Sequence, residues 1–321
     1  ITKALQDPEN MITRDPSSWL PADAKQGGTL NMKMGSDPKG FNFLAENGAD
    51  VYMLQRYVLV SLATQHLNDV TKYRPELAYS WKVSEDKLTH TFKIRKDIYW
   101  QKPDVDWASG KYDWLKGKHQ VTARDLEFMM RMLMNPQVAG AAPLRSYLKD
   151  LDSYRAIDDH TFEIKFKEAK YSQMTLIYSF FPVPEFLYAY DSDGSRYDDE
   201  VLGKRFEDHW YNPRAIGAGP YRLTRFEPGV VIEMERVPNF PMGGNAFDKI
   251  VFEILKDQNQ PPRKLRTKEL HITGVQPGQY RSEYLEGDDD SPFRNGELEM
   301  GEYWSYNYFY IGWNADKPWF G

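Results

Sequence analysis

The sequence predicts a mixed fold of strands and helices, divided into two domains or into one lobe that carries a large inserted subdomain. Three observations lead there. The first is length, because 321 residues exceed what one hydrophobic core comfortably serves. The second is the recurrence of alternating apolar runs in pairs around turn residues, interrupted by stretches of helical spacing. The third is the segment 302–314, EYWSYNYFYIGWN. Read with period 2, it puts Trp304, Tyr306, Tyr308 and Tyr310 on one face and Tyr303, Ser305, Asn307, Phe309, Ile311 and Trp313 on the other. Both faces are aromatic, so this strand is expected to be covered on both sides, by core on one and by further core or a ligand on the other.

The elements follow in order. Residues 1–26, with Pro8, Pro16 and Pro21 and few apolar side chains, suit an arm on the surface. Residues 28–34 alternate as an opening strand, and 36–50 form a turn-rich loop. Asp50 is expected to cap a helix whose inner face carries Met53, Leu54, Tyr57, Val58 and Ser61 or Leu62. Residues 76–95 read as a hairpin turning at Ser84 to Lys87, with Trp81, Phe92 and Ile94 on its buried side. Residues 102–118 are polar, with two Trp and two Gly, and resemble an insertion in a loop.

Thr122 and Asp125 make a capping box, and Leu126, Met129, Met130 and Leu133 give the stripe of an amphipathic helix that ends before Pro136. At that spacing the methionines are core. A second hairpin covers 154–167, with Phe162, Ile164 and Phe166 on one face. Short helices are expected over 171–178 and 198–210, and two strands around Glu227-Pro228-Gly229 within 215–240. Further strands are expected at 248–255 and 270–273, and 286–299 is an acidic loop.

Composition narrows the function. Apolar content of 41%, charge of 27% and aromatic content of 15% describe a globular chain with a wet surface. A net charge of -6 with scattered Lys and Arg offers no basic stripe for a phosphate backbone, so no nucleic-acid partner is expected. No apolar run reaches the ~18 residues of a membrane span. Zero cysteine removes thiol chemistry and disulfides, which fits an exported protein without requiring one.

The six histidines lie far apart, with no HExxH, and no GxSxG elbow occurs. Gly217-Ala218-Gly219-Pro220 lacks the third glycine of a phosphate loop, and Pro220 removes a donor, so it reads as the tight start of a strand. Residues 191–200 have calcium-loop spacing at Asp191, Asp193 and Ser195, but Arg196 and Leu202 stand where glycine and glutamate are needed. A solvated turn is the simpler reading. No catalytic constellation, metal or cofactor emerges, and the chain is not expected to be an enzyme.

Four runs carry a family resemblance: RPELAYSWKVSEDKLTHTFKIRKDIYWQ from Arg74, VTARDLEFMMRMLMNP from Val121, IGAGPYRLTRFEPGVVIEMERVPNF from Ile216, and FDKIVFEIL with the later LHITG. In order and spacing they resemble family 5 of the extracellular solute-binding proteins, the peptide, nickel and opine binders of ABC importers. Ala218 departs from the family's usual threonine and His271 from its aspartate, residues 102–118 lengthen a usually short connection, and family members usually run well beyond this point.

The resemblance implies an α/β, two-lobe periplasmic-binding-protein fold of type II, with this chain mostly lobe I, an inserted α+β subdomain, and lobe II largely absent. The implied division is an arm at 1–26, lobe I at 27–45 and 176–310, the inserted subdomain at 46–175, and the start of the crossing to lobe II at 311–321. The implied function is periplasmic or extracytoplasmic capture of a small solute, most often an oligopeptide, and its delivery to the permease of an ABC importer. A second chain carrying lobe II is a further expected partner. Ligand contacts are expected from Phe41, Asn42, Glu46 and Asn47 and from Trp304, Tyr306, Asn307, Tyr308 and Tyr310. Two alternatives stay open: a glycan-active enzyme or oligosaccharide binder with an aromatic platform, and a peptide-holding chaperone or sensor domain on the same fold.

Overall fold

The computed structural model describes residues 25–66, 69–243 and 246–301. Its first strand, β1 (Thr29–Met34), lies parallel to β10 (Lys249–Ile254), with Thr29 opposite Lys249 and Met34 opposite Ile254. Strands β9 (Val231–Arg236) and β8 (Tyr221–Glu227) complete this sheet antiparallel, in the order β1-β10-β9-β8. The turn between β8 and β9 puts Gly229 at φ 75°, a conformation that suits glycine. On β10, Ile250, Phe252 and Ile254 face inward, the alternation of a half-buried strand.

Everything between β1 and β8 is an excursion from that sheet. It holds the pair β2 (Ala63–His66) and β3 (Asp69–Pro75), and a four-stranded antiparallel sheet in the order β4-β5-β7-β6. That second sheet is two hairpins joined edge to edge. One is β4 (Ala78–Val83) with β5 (Thr89–Ile94), the other β6 (Leu151–Asp158) with β7 (Thr161–Phe166), and Phe92 sits opposite Phe162 across the seam. Trp81, Phe92, Ile94, Phe162, Ile164 and Phe166 are all buried, as their alternation predicts.

Helix α2 (Ala123–Met134) packs on β6 and β7 with Leu126, Met129, Met130 and Leu133 inward. Its capping box forms, with the Thr122 N–H donating to the Asp125 carboxylate at 2.8 Å. Its other end is closed by Arg145, whose guanidinium donates to the carbonyls of Leu133 (2.7 Å), Asn135 (2.5 Å) and Val138 (2.7 Å).

Helix α1 (Ala49–Val58) sits against the first sheet, where Tyr57 meets Tyr221 and Phe252 edge to face at 6.0 and 5.9 Å. The chain at Gly217 to Gly219 passes directly under the end of this helix. The Gly219 N–H donates to the Val58 carbonyl at 2.9 Å, and a Cβ on Gly217 would overlap that same oxygen. The glycines are thus a close backbone crossing that leads into β8.

Three local expectations are corrected. Helix α1 begins after Gly48, not after Asp50, whose carboxylate instead accepts from the Ser36 hydroxyl. Its inner stripe is Val51, Leu54, Gln55 and Val58, while Met53 is 41% exposed. The polar Gln55 interrupts the apolar pattern, so a period count rotates the face toward Met53. Residues 270–273 form no strand. The His271 N–H donates to the Asn31 carbonyl (2.9 Å) and its Nδ1 accepts from the Asn31 N–H (3.0 Å), so a side chain takes the place of the second ladder bond and pairing does not propagate.

The long connection 102–118 is ordered by aromatic contacts. Tyr112 stacks on Trp210 with centroids 5.5 Å apart, Trp114 leans on Tyr190 at 5.6 Å, and Leu115 is buried. In the acidic turn, the Asp193 carboxylate accepts from the N–H and hydroxyl of Ser195, at 2.8 and 2.6 Å. No helix among the described residues is long and apolar enough to cross a membrane.

Candidate ligand-binding cavity

The helix α1, the pair β2–β3 and the helix Tyr171–Tyr178 enclose a cavity of about 580 Å³. Aromatic rings from Phe43, Tyr52, Tyr73, Tyr178, Phe180 and Phe181 stand in its wall among aliphatic and polar side chains. Phe43 meets Phe181 edge to face at 5.8 Å, and Tyr73 lies 4.4 Å from Tyr178, whose ring is further fixed by Trp81 (5.1 Å) and Phe92 (5.7 Å). Polar groups around it are mostly satisfied. The Tyr73 hydroxyl pairs with Thr175 Oγ1 at 2.8 Å, and the Ser61 hydroxyl lies 3.0 Å from a Glu76 carboxylate oxygen and 3.1 Å from the Ala63 carbonyl.

Two polar side chains in this lining are not satisfied. Gln55 is 2% exposed, and neither its Oε1 nor its Nε2 has a hydrogen-bond partner among the described residues. The Tyr178 hydroxyl is fully buried and likewise unpartnered, and burial pushes its pKa up, so it is a neutral hydroxyl at any physiological pH. Buried polar groups are normally paired, and an orphan is a feature to be explained.

The loop that precedes α1 holds four of the residues expected to touch ligand. Phe41 packs edge to face on Phe226 at 5.3 Å and its N–H donates to the Asn212 carbonyl at 2.8 Å. Asn42, 4% exposed, donates from Nδ2 to Asn212 Oδ1 at 3.0 Å and accepts the Leu44 N–H at 3.2 Å. Glu46 accepts the Gly48 N–H at 2.9 Å, and Asn47 Nδ2 donates to the Gly140 carbonyl at 3.1 Å. Their polar groups fasten the loop to its neighbours, and none of the four is among the residues lining the cavity. Phe43, from the same loop, does line it. Trp304, Tyr306, Asn307, Tyr308 and Tyr310 lie outside the described residues.

Sequence reading passed over Phe43, Gln55 and Tyr178. The available signal was a polar residue on the buried stripe of α1. A larger, open depression of about 810 Å³ borders the end of the first sheet, beside Gln26, Arg236 and Asp248. Its charges are already matched, Arg236 with Asp248 at 2.5 Å and Lys249 with Glu233 at 2.7 Å, which leaves little to recognise a ligand.

The described histidines offer no catalytic or metal centre. His90 and His209 are buried, and desolvation lowers the pKa of each from 6.5 to about 4. Neutral His209 bridges the Tyr190 carbonyl (Nε2, 2.9 Å) and the Tyr211 N–H (Nδ1, 3.2 Å). Among the described residues no three His, Asp or Glu side chains gather as a metal site.

Comparison with known proteins adds to this geometry. A family model described as bacterial extracellular solute-binding proteins, family 5 middle, matches residues 72–321. The chain is 23% identical over 305 residues to a protein of Brucella ovis named as an ABC transporter peptide-binding protein, covering 94% of this chain and 50% of that one. The chain therefore spans about half the length of the curated relatives it matches.

Among solved structures, it resembles the ABC transporter substrate-binding protein CtaP of Listeria monocytogenes with a TM-score of 0.63 at 24% identity, over 80% of this chain and 46% of that one. It also resembles the periplasmic binding protein DppA of Helicobacter pylori in complex with the peptide STSA, with a TM-score of 0.61 at 17% identity, over 81% and 49% of the two chains. At these identities the likeness is one of fold.

Proposed function

Because this chain belongs to the bacterial extracellular solute-binding proteins of family 5, we propose that it captures a small solute outside the cytoplasm, an oligopeptide, for delivery to the permease of an ABC importer. The observation that carries the reading is the cavity of about 580 Å³ whose lining includes Phe43, Tyr52, Tyr73, Tyr178, Phe180 and Phe181. Such a concave site, with aromatic and aliphatic side chains interspersed with polar ones, suits a small ligand. The peptide class is supported by the naming of the Brucella relative and by the peptide bound in the Helicobacter structure.

In this proposal Phe41, Asn42, Glu46 and Asn47 fasten the loop that presents Phe43 to the cavity, and they border the binding site from outside that lining. Trp304, Tyr306, Asn307, Tyr308 and Tyr310 supply stacking faces and a polar anchor. The second lobe closes over the ligand about a hinge, and the closed form is the one the importer recognises. A micromolar ligand requires only about 8 kcal/mol net, within reach of a few stacked rings and backbone hydrogen bonds once water is excluded.

The test is native mass spectrometry of the full-length protein purified without denaturation, followed by fluorescence titration with the co-purified solute. A bound peptide released intact is expected, together with at least tenfold weaker binding in Trp304→Ala and Tyr308→Ala. Release of a cleaved product, or a glycan as the only bound solute, would refute the reading.

A further inference from the structure

We infer that Asn295-Gly296 is a modification site, at which the Asn295 side chain closes on the Gly296 backbone nitrogen and is converted without an enzyme to aspartate and isoaspartate. This is independent of what the protein binds. Three pairs in the chain have the sequence for such a succinimide closure, Asn47-Gly48, Asp193-Gly194 and Asn295-Gly296. Asparagine is among the thermolabile residues, and a following glycine lets the ring form with no Cβ in the way. By residue type the two Asn-Gly pairs rank equal. The fold separates them.

The attacking atom is the glycine nitrogen, so the state of its N–H comes first. The Gly48 N–H donates to Glu46 Oε1 at 2.9 Å, and the Gly194 N–H donates to the Asp191 carbonyl at 3.0 Å. These bonds hold the peptide planes, whereas the nitrogen must turn toward the side chain to attack. The Gly296 N–H has no hydrogen-bond partner among the described residues. Asn295 and Gly296 are both exposed, so water or hydroxide reaches that N–H to take its proton, while Gly48 is half-buried.

The side chains differ as well. Asn47 Nδ2 donates to the Gly140 carbonyl at 3.1 Å, so turning this amide detaches its loop from a segment 93 residues away. Asn295 is already folded over its own turn. Its Oδ1 accepts the Glu297 N–H at 2.9 Å and its Nδ2 donates to the Asp290 carbonyl at 3.2 Å. The Glu297 N–H thus points at the oxygen on which negative charge develops as the ring closes, which stabilises that step.

The atoms balance without a redox partner. The Gly296 nitrogen gives its proton to water and bonds to Asn295 Cγ, the Cγ–Nδ2 bond breaks, and Nδ2 takes up a proton and leaves as ammonia. Water then opens the ring. Attack at the Cγ carbonyl gives aspartate, and attack at the former main-chain carbonyl gives isoaspartate, which routes the backbone through Cγ. Either product adds a negative charge among Asp288, Asp289, Asp290 and Glu297 and loses the bond to the Asp290 carbonyl. Isoaspartate also lengthens the chain between Phe293 and Leu298, which pack in one small apolar cluster with Leu255, Leu265 and Leu270.

The test is peptide mapping by mass spectrometry on the full-length protein, sampled during incubation at mildly alkaline pH in buffer and in denaturing urea. Conversion at either asparagine reads as a gain of about 1 Da. In buffer, Asn295 is expected to convert at least tenfold faster than Asn47. In urea the two rates should come within about threefold of each other, because the fold no longer holds the Gly48 N–H and the Asn47 amide. Asn47 converting as fast as Asn295 in buffer would overturn the inference. A lead for Asn295 that persists in urea would overturn it too, by assigning the difference to neighbouring residues and not to the fold. Conversion of both sites in urea alone would do the same, by showing that the fold protects Asn295 as well.

Discussion

Replacing His90 by phenylalanine should stabilise the protein, and more so in acid. His90 lies on β5 on the same inward face as Phe92 and Ile94, 2% exposed, with its ring edge to face on Phe166 at 6.1 Å. Neither ring nitrogen has a partner among the described residues. A phenyl ring keeps the shape and removes two unsatisfied polar atoms, worth about 1 kcal/mol at pH 7 after some overpacking.

Acid adds a second effect. Burial holds the folded His90 near a pKa of about 4 against 6.5 in the unfolded chain, so the unfolded state binds more protons between those values. Stability is therefore intact above pH 6.5 and lost as pH falls, by about 2 kcal/mol at pH 5 and about 3 kcal/mol below pH 4. His209 behaves alike, its pKa also lowered to about 4.

Asp125 opposes them. Burial raises its carboxyl to about 6 despite the N–H donors of Thr122, Trp100 and Glu185, so the folded state gains about 1 kcal/mol between pH 7 and pH 5. Exposed carboxylates such as Asp86 and Asp158, held low by the hydroxyls of Ser84 and Thr161, titrate beneath this window.

The three buried groups together predict a net loss of about 2 kcal/mol from pH 7 to pH 5 in wild type, most of which His90→Phe should remove. Equilibrium urea unfolding at both pH values, fitted with a common m, measures it. The gap between variant and wild type should widen from about 1 to about 3 kcal/mol. A gap that does not change with pH would show that His90 is not held neutral in the core.

Three further outcomes are expected. Gly217→Ala should destabilise by about 2 kcal/mol or more, because its Cβ meets the Val58 carbonyl and either α1 or the start of β8 must shift; thermal unfolding reads this directly. Arg145→Ala removes three charge-assisted bonds at the end of α2 and should cost about 2–3 kcal/mol, with faster hydrogen exchange at residues 132–138 as its local signature. Trp114→Ala should leave global stability within about 1 kcal/mol yet make residues 102–118 a site of rapid proteolysis, because its contact with Tyr190 helps to pin that connection.

The sequence by itself determined most of the local elements and the family. The hairpins β4–β5, β6–β7 and β8–β9 were legible because alternation and turn residues are neighbours along the chain, and α2 because its capping box and apolar stripe are. Four motifs in the right order sufficed for the family that the match over residues 72–321 shows.

Only the tertiary structure decided the rest. The parallel pairing of β1 with β10 joins residues far apart in the chain, and no local pattern fixes that register. The face of α1 turned on Gln55, a polar residue whose burial depends on what stands opposite it. The cavity arises where α1, β2–β3 and the helix Tyr171–Tyr178 meet, three elements whose sequences carry no mark of one another. Packing around each side chain, not the residue type, decides whether an amide is solvated, paired or buried without a partner.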